Sequence, residues 1–304
     1  MKYHLTIWAG IMISGILFSC EDKVHPQLEN AAPTLVVDAW LNNKPGQQII
    51  VLTQTQPYFY NSLPSGISSA LVSVTDDKGM TYLFPEDGQQ AGHYVWKPLA
   101  NEVFGIVGNR YTLKIQTGGE TFESLSYMGR VPTIDSITFD TEKRIGAKDS
   151  ITRAEFWATD PAGSGDAYWI RSYQYGVLLN RPGEMNVAYD AGFSAGGETD
   201  GVTFITPIRR GINSNDQDAN GRNLSPIQSG DSMNVQINSI TRAAFNYLNE
   251  VRTQTDRPGG FQELFATPLA NVSTNISSTR KNGTKVLGFF NIAAVSIAGK
   301  RYKK

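Results

Sequence analysis

From Thr34 onward the chain runs in short alternations of apolar and polar residues, each closed within a few positions by a glycine, proline or aspartate turn. Successive side chains of a strand point to opposite faces, so this period of two predicts half-buried β-strands and leaves little room for helix. Leu35, Val37, Ala39 and Leu41 share one face of the first run. Ile49, Val51 and Thr53 oppose Ile50 and Leu52 in the second, and Ala70, Val72 and Val74 mark a third before the turn Asp76-Asp77-Lys78-Gly79. Tyr82 and Phe84 begin the return. Tyr111, Leu113 and Ile115 then lead into Gly118-Gly119, with Phe122 beyond. Two glycines between alternating runs predict a tight hairpin, since both reach positive φ without a steric penalty. Six to seven strands within about a hundred residues predict an immunoglobulin-like β-sandwich over 34–131. The likeness is to the architecture, since no Cys-Trp-Cys spacing is present.

Val131-Pro132 reads as a boundary, and 132–304 as a second β-rich domain, sandwich or barrel-like. Ile134, Ile137 and Phe139 open it; Ala154, Phe156 and Ala158 alternate before Asp160-Pro161; Val202, Phe204 and Ile205 form another run, as do Met233, Val235 and Ile237. In the aromatic run from 168, alternation puts Tyr168, Ile170, Ser172 and Gln174 on one face and Trp169, Arg171, Tyr173 and Tyr175 on the other. Neither face is purely apolar, and core or domain packing is expected over a ligand platform. One amphipathic helix is predicted near 240–255, because Ile240, Ala244, Tyr247, Leu248 and Val251 fall on one stripe. Ser239 or Thr241 would cap its start, and Pro258-Gly259-Gly260 ends the region. A last strand-like run, 286–297, contains Gly288-Phe289-Phe290.

The chain has one cysteine, and its place is informative. Leu17-Phe18-Ser19-Cys20 closes an apolar run of fourteen residues over 5–18 that follows Lys2. A membrane-spanning helix needs about 20 apolar residues. A basic start, an apolar centre and small or apolar residues before a cysteine resemble a bacterial lipoprotein signal with its lipobox. On that reading 1–19 is a signal peptide, Cys20 carries acyl chains of the palmitate type, and 20–33 is a polar, proline-bearing tether. Several chains on one cysteine hold a bilayer essentially permanently.

Setting aside the first nineteen residues removes one lysine, leaving 26 basic against 28 acidic side chains. Such a balance gives no long-range field for nucleic acid, so no nucleic-acid partner is expected. Cysteine is then unavailable for a disulfide, a zinc site or a nucleophile, and only His25 and His93 remain of the histidines. Without a Gly-x-Ser-x-Gly elbow or a thiol, nucleophilic catalysis has little support, and no catalytic residue or cofactor is expected. Asp38, Asp160, Glu184 and Glu263 have no motif that lifts them above ordinary surface acids. The one metal-like pattern is Asp216-Gln217-Asp218-Ala219-Asn220-Gly221, the first half of a calcium loop, with Asp216, Asp218 and Asn220 as candidate ligands. Its twelfth position is Ile227 where a bidentate glutamate belongs. The alternative is a polar turn. The loop after Pro57 exposes Tyr58, Phe59, Tyr60 and Leu63 among Ser, Pro and Gly, and is expected to be a contact surface.

Several stretches stand in a familiar order: the lipobox, Pro33-Thr34-Leu35-Val36-Val37-Asp38-Ala39-Trp40-Leu41, Gln56-Pro57-Tyr58-Phe59, Val72-Ser73-Val74-Thr75-Asp76-Asp77-Lys78-Gly79, Gly108-Asn109-Arg110-Tyr111-Thr112-Leu113, Pro132-Thr133-Ile134-Asp135-Ser136-Ile137, Asp160-Pro161 and Gly288-Phe289-Phe290. Together they resemble the domain-of-unknown-function family 4249, lipoproteins of Bacteroidota. The resemblance implies a cell-surface lipoprotein encoded beside a TonB-dependent outer-membrane transporter, and so an accessory to nutrient uptake. Glu21-Asp22-Lys23 is similar in composition to the signal that sends such lipoproteins to the outer face, although the preferred order puts lysine first. The expected location is the outer membrane, lipid-anchored and facing the exterior. Two other functions remain open: adhesion or envelope scaffolding, and glycan hydrolysis.

Overall fold

The computed structural model describes residues 32–57, 59–99, 102–143, 150–217 and 223–304. It is mainly β, with sixteen strands and one long helix among those residues. The alternating runs become strands with the expected faces. In β1 (Leu35–Asn42) the positions of Leu35, Val37, Ala39 and Leu41 are buried.

Two sheets enclose the first core. One has the order β15 (Val286–Ala293), β1, β2 (Gln48–Gln54), β5 (His93–Trp96). The other runs β14 (Ile276–Ser278), β7 (Glu120–Tyr127), β6 (Arg110–Thr117), β3 (Leu71–Asp76), β4 (Thr81–Phe84). Val37, Leu41, Ile50 and Tyr94 from the first sheet meet Val74, Phe84, Tyr111 and Leu113 from the second in one apolar cluster. Gly118 and Gly119 join β6 to β7 with φ of 55° and 74°, as the hairpin reading requires.

This sandwich is not confined to 34–131, because β14 and β15 come from near the C-terminus. β15 lies parallel to β1 along its whole length, and a parallel neighbour cannot arrive by a hairpin. Local periodicity therefore could not reveal the pairing. Gly288 makes it possible: it has φ +94°, and a Cβ there would sit 1.9 Å from the carbonyl oxygen of Val37. Beyond it Phe290 turns into the sandwich core and Phe289 to the opposite face.

A second pair of sheets follows. β8 (Ile134–Lys143) and β9 (Ser150–Ala158) form a hairpin. β10 (Ala167–Gln174), β13 (Ser232–Ile240) and β16 (Val295–Arg301) form a sheet whose outer edge on β10 is shared by β11 (Val177–Leu178) and β12 (Asn186–Tyr189). Ile137 and Phe156 pack with Tyr168, Ile170, Val235 and Ile237, and the short helix Thr206–Arg210 adds Ile208.

Two strand edges are covered by asparagine amides that imitate a neighbouring strand. Asn213 accepts from Ala154 N and donates to Ala154 O, both at 2.8 Å. Asn275 does the same for Phe290, at 3.0 and 2.7 Å.

The predicted helix is Arg242–Thr255, capped by the Thr241 side chain, which accepts from Ala244 N at 3.1 Å. Ile240 is the last residue of β13 rather than part of the helix. Ala244, Phe245 and Leu248 are buried against Ala167, Val187, Tyr189 and Phe289 in a third cluster. That cluster joins the outer face of β1 and β15 to the face of β10 and β12 opposite the Tyr168 core. Among the described residues, no helix is long and apolar enough to cross a membrane.

Candidate functional site

The third cluster carries the least satisfied chemistry. β1 turns Asp38 and Trp40 outward, and its register sets Asp38 beside Phe289 of β15. β10 presents Trp169, Arg171 and Tyr173 on one face, with Asn238 and Gln236 of β13 opposite Trp169 and Arg171. The helix contributes Tyr247. Trp40 lies 5.2 Å from Trp169 at an edge-on angle of 67° and is stacked on Phe289 at 5.7 Å; Tyr247 is 4.6 Å from Phe289. Offset and edge-on ring pairs of this kind are attractive beyond their buried area. Lys44 donates to Gln236 at 3.1 Å, Gln236 to Asn238 at 2.7 Å, and Asn238 to Trp169 O at 2.9 Å, closing one side with a continuous polar chain.

Arg171 is held by rings alone. Its guanidinium carbon sits 4.9 Å from the Trp169 centroid and 5.9 Å from that of Tyr173. Among the described residues nothing hydrogen-bonds or ion-pairs with it, and its Nε is shut off from solvent without an acceptor. A buried donor left so costs about 1–3 kcal/mol, and native proteins rarely tolerate one.

Among the described residues, Asp38 likewise has no hydrogen bond or contact ion pair. By area Asp38 is exposed, yet the surrounding protein desolvates its carboxyl and raises its pKa, opposed in part by the charge of Arg171. Burial raises the Tyr247 hydroxyl as well, and the charges of Asp38 and Glu250 add to it. A cavity of about 50 Å³ adjoins Trp169 and Arg171 beneath Leu178, Leu179 and Met185. This is room for ordered water only.

A second grouping is acidic. Carboxylate oxygens of Asp160, Asp190 and Asp200 lie within 4.8 Å of one another, near enough to ligate one metal ion. Asp160 accepts from the Tyr168 hydroxyl at 2.6 Å and from Gly201 N at 3.2 Å; Asp190 accepts from Gly165 N and Asp166 N; Asp200 accepts from Gly163 N. Burial pushes the Asp160 carboxyl up, and the neighbouring charges of Asp166 and Asp190 add to it. Backbone donors thus already serve these acids. Asp190 and Asp200 had no motif to mark them, because their convergence is spatial.

The surface-acid expectation is corrected for two residues. Asp160 is 2% exposed and Glu184 7%. The reason is a local partner in each case: Tyr168 for Asp160, and for Glu184 the Arg181 guanidinium with the N–H groups of Arg181 and Asn215. Burial opposes ionisation of Glu184, but these donors outweigh it and hold its pKa below the usual range. Glu263 pairs with Arg257.

Of the calcium candidates, Asp218 and Asn220 lie outside the described residues. Asp216 accepts from Ser214 Oγ at 2.8 Å and pairs with Arg181 at 2.9 Å, which lowers its pKa. A guanidinium in that position competes with any cation. Nearby, a pocket of about 330 Å³ includes Arg153, Arg210 and Glu184, but its charges are matched internally, Arg210 to Glu142 and Glu155 and Arg153 to Glu142.

Cys20, Glu21, Asp22, Lys23 and Tyr58 also lie outside the described residues. Phe59, Tyr60 and Leu63 are exposed, Leu63 at 91%. The loop's far end is tied to β2, where Ile67 N donates to Leu52 O at 2.9 Å. His93 opens β5.

The sequence reading put Trp169, Arg171 and Tyr173 on one face but could not bring Asp38 and Trp40 to them. No curated protein matches this chain. A family profile does, described as Domain of unknown function (DUF4249), and it matches 21–297, nearly the whole of the described residues. The chain therefore belongs to the DUF4249 family.

Proposed function

We propose that the protein is a non-enzymatic, lipid-anchored binding protein of the outer-membrane surface, an accessory to a TonB-dependent transporter in nutrient uptake. One observation supports the binding role: Arg171, stacked on Trp169 and Tyr173, has a buried Nε without an acceptor, and its charge acts on the desolvated carboxyl of Asp38. A fold that leaves a buried donor unmet retains a cost that a ligand would remove. Lipidation at Cys20, favoured by the lipobox, supplies the anchor, and Glu21-Asp22-Lys23 the sorting to the exterior. The exposed Leu63 loop is the surface assigned to the transporter.

Mild detergent extraction of the native lipoprotein, followed by affinity purification, tests this reading. A β-barrel transporter should copurify, and its recovery should fall severalfold for Leu63→Asp. Extraction without any barrel partner, or mass spectrometry showing an unacylated Cys20, overturns it.

A further inference from the structure

We propose that the outer edge of β16 is a docking site for an extended, acidic segment of a partner protein, which adds to the sheet as one more strand. The inference goes beyond the accessory role above and does not depend on the Leu63 loop.

β16 ends its sheet, and among the described residues it pairs only with β13. Ser239 N donates to Ala294 O at 2.9 Å and Tyr302 N to Asp231 O at 2.7 Å, both in the register of that antiparallel ladder. Hydrogen-bonded and non-hydrogen-bonded pairs alternate along such a ladder. Even-numbered residues of β16 therefore turn their backbone groups to β13, and odd-numbered ones turn theirs outward. Asn43 closes the start of the outward side: its N–H reaches Ala293 O at 3.1 Å and its Oδ1 accepts from Val295 N at 2.9 Å. Beyond it, among the described residues, nothing bonds the N–H or C=O of Ile297, Gly299 or Arg301. Asn213 and Asn275 clip the edges of β9 and β15, and β16 has no such clip past Val295. Ile297 is 52% exposed, and Gly299, Lys300 and Arg301 are exposed as well. An open edge of this kind is a template for strand addition. The chain after it is pinned, with Gly230 N donating to Tyr302 O at 2.9 Å and Lys304 N to Ser229 Oγ at 3.4 Å. The edge is thus ordered before a partner arrives, which limits the entropy lost on docking.

Charge selects the occupant. Lys300, Arg301, Lys303 and Lys304 are exposed at the end of this edge, and none makes an ion pair among the described residues. β8, whose Phe139 lies 5.0 Å from Tyr302, carries acids that are already engaged: Asp140 and Glu142 with Arg210, and Glu142 with Arg153. An acidic strand laid along β16 would gain opposite-charge pairs with these free cations, whereas a second copy of β16 would bring only more cations. Backbone bonds supply the attachment, and the basic end selects the sign of the partner.

The test uses the detergent-extracted lipoprotein and the fluorescein-labelled peptide Glu-Val-Glu-Val-Glu-Val-Glu-amide, read by anisotropy. The signal should saturate with a dissociation constant at or below about 1 mM. The same peptide N-methylated throughout, which has no backbone donors, and its lysine-for-glutamate counterpart should each bind at least tenfold more weakly. Ile297→Pro removes one outward N–H and leaves the bonds to β13, a position where an edge strand accepts proline. It should weaken the peptide at least fivefold, whereas Ile297→Thr, which keeps the N–H, should stay within twofold. Lys300→Glu with Arg301→Glu should weaken the acidic peptide at least tenfold and tighten the lysine peptide. Thermal unfolding shows which variants keep the fold, and should Ile297→Pro not fold, the N-methylated peptide decides the same point. No saturable response, equal binding of the N-methylated or the lysine peptide, or unchanged affinity in folded Ile297→Pro overturns the proposal. So does a lipoprotein that is dimeric in detergent and becomes monomeric on Ile297→Pro, which would give the edge to a second copy. Transporter copurification is read separately, so either conclusion can fail while the other stands.

Discussion

The first sandwich and the crevice beside it share a strand pair, yet they are built on opposite principles. On the inner face of β1 and β15, Val37, Ala39, Phe290 and Ile292 turn fully buried side chains into the apolar core. On the outer face of the same two strands, Asp38, Trp40 and Phe289 meet rings, an unpaired arginine and a polar chain from Lys44 to Asn238. A close-packed apolar core makes the fold, because every buried methylene contributes and no donor is left over. The outer face gives up some of that stability and keeps unmet hydrogen-bonding capacity. An apolar core and a polar, ring-bearing face are thus separated by the thickness of one sheet.

The hardest blow to the inner side is Gly288→Val. Its Cβ would overlap the Val37 carbonyl, and its φ is left-handed. Loss above about 4 kcal/mol, or failure to fold, is expected in urea denaturation. Gly79→Ala, with φ +89° and open space around it, is the control and should cost about 1 kcal/mol. A similar loss for both would show that strand approach is not what Gly288 provides.

Phe290→Ala should cost about 3–5 kcal/mol by transfer and cavity terms. Where the two sides meet, Asn291 accepts from Thr241 N at 3.1 Å while fully buried. Replacing it by leucine strands that N–H and should cost about 1–3 kcal/mol. A neutral result would place the junction outside the cooperative unit.

Acid should act at Glu184, which lines the small cavity beside Trp169 and Arg171. Its folded pKa is depressed, so its contribution is present above the unfolded value of about 4.3 and is lost as pH falls through the folded value. Glu184→Gln should therefore lower stability at neutral pH, and the difference from the parent should shrink progressively below about pH 4. An undiminished difference at pH 3 would remove Glu184 from the acid transition. Smallest of all is Arg171→Gln, which gives up two ring contacts but no protein hydrogen bond and should cost about 1 kcal/mol or less. A loss as large as that of Phe290→Ala would make Arg171 a structural residue and dissolve the contrast between the two faces.

Much of the fold was legible because its rules are local. Alternation placed Leu35, Val37, Ala39 and Leu41 on one face, Gly118-Gly119 marked a hairpin, and three- and four-residue spacing with Thr241 at its head marked the helix. The boundary at Val131-Pro132 was read from a change in pattern, and the sheets do not respect it. The candidate site was only half visible: Trp169, Arg171 and Tyr173 share a strand, whereas Asp38 and Trp40 lie some 130 positions earlier. The Asp160, Asp190 and Asp200 convergence was invisible for the same reason.

What the amino-acid order determined by itself was the class of structure and the family, since strand period, turn chemistry and cap residues act over a few positions. Tertiary structure alone decided that β15 returns to lie parallel to β1, and that Phe289 and Phe290, neighbours in the chain, serve opposite faces. It also decided that Arg171 finds rings but no acceptor. The physical reason is that parallel pairing and partner satisfaction depend on which distant segments meet, and no local pattern encodes that meeting.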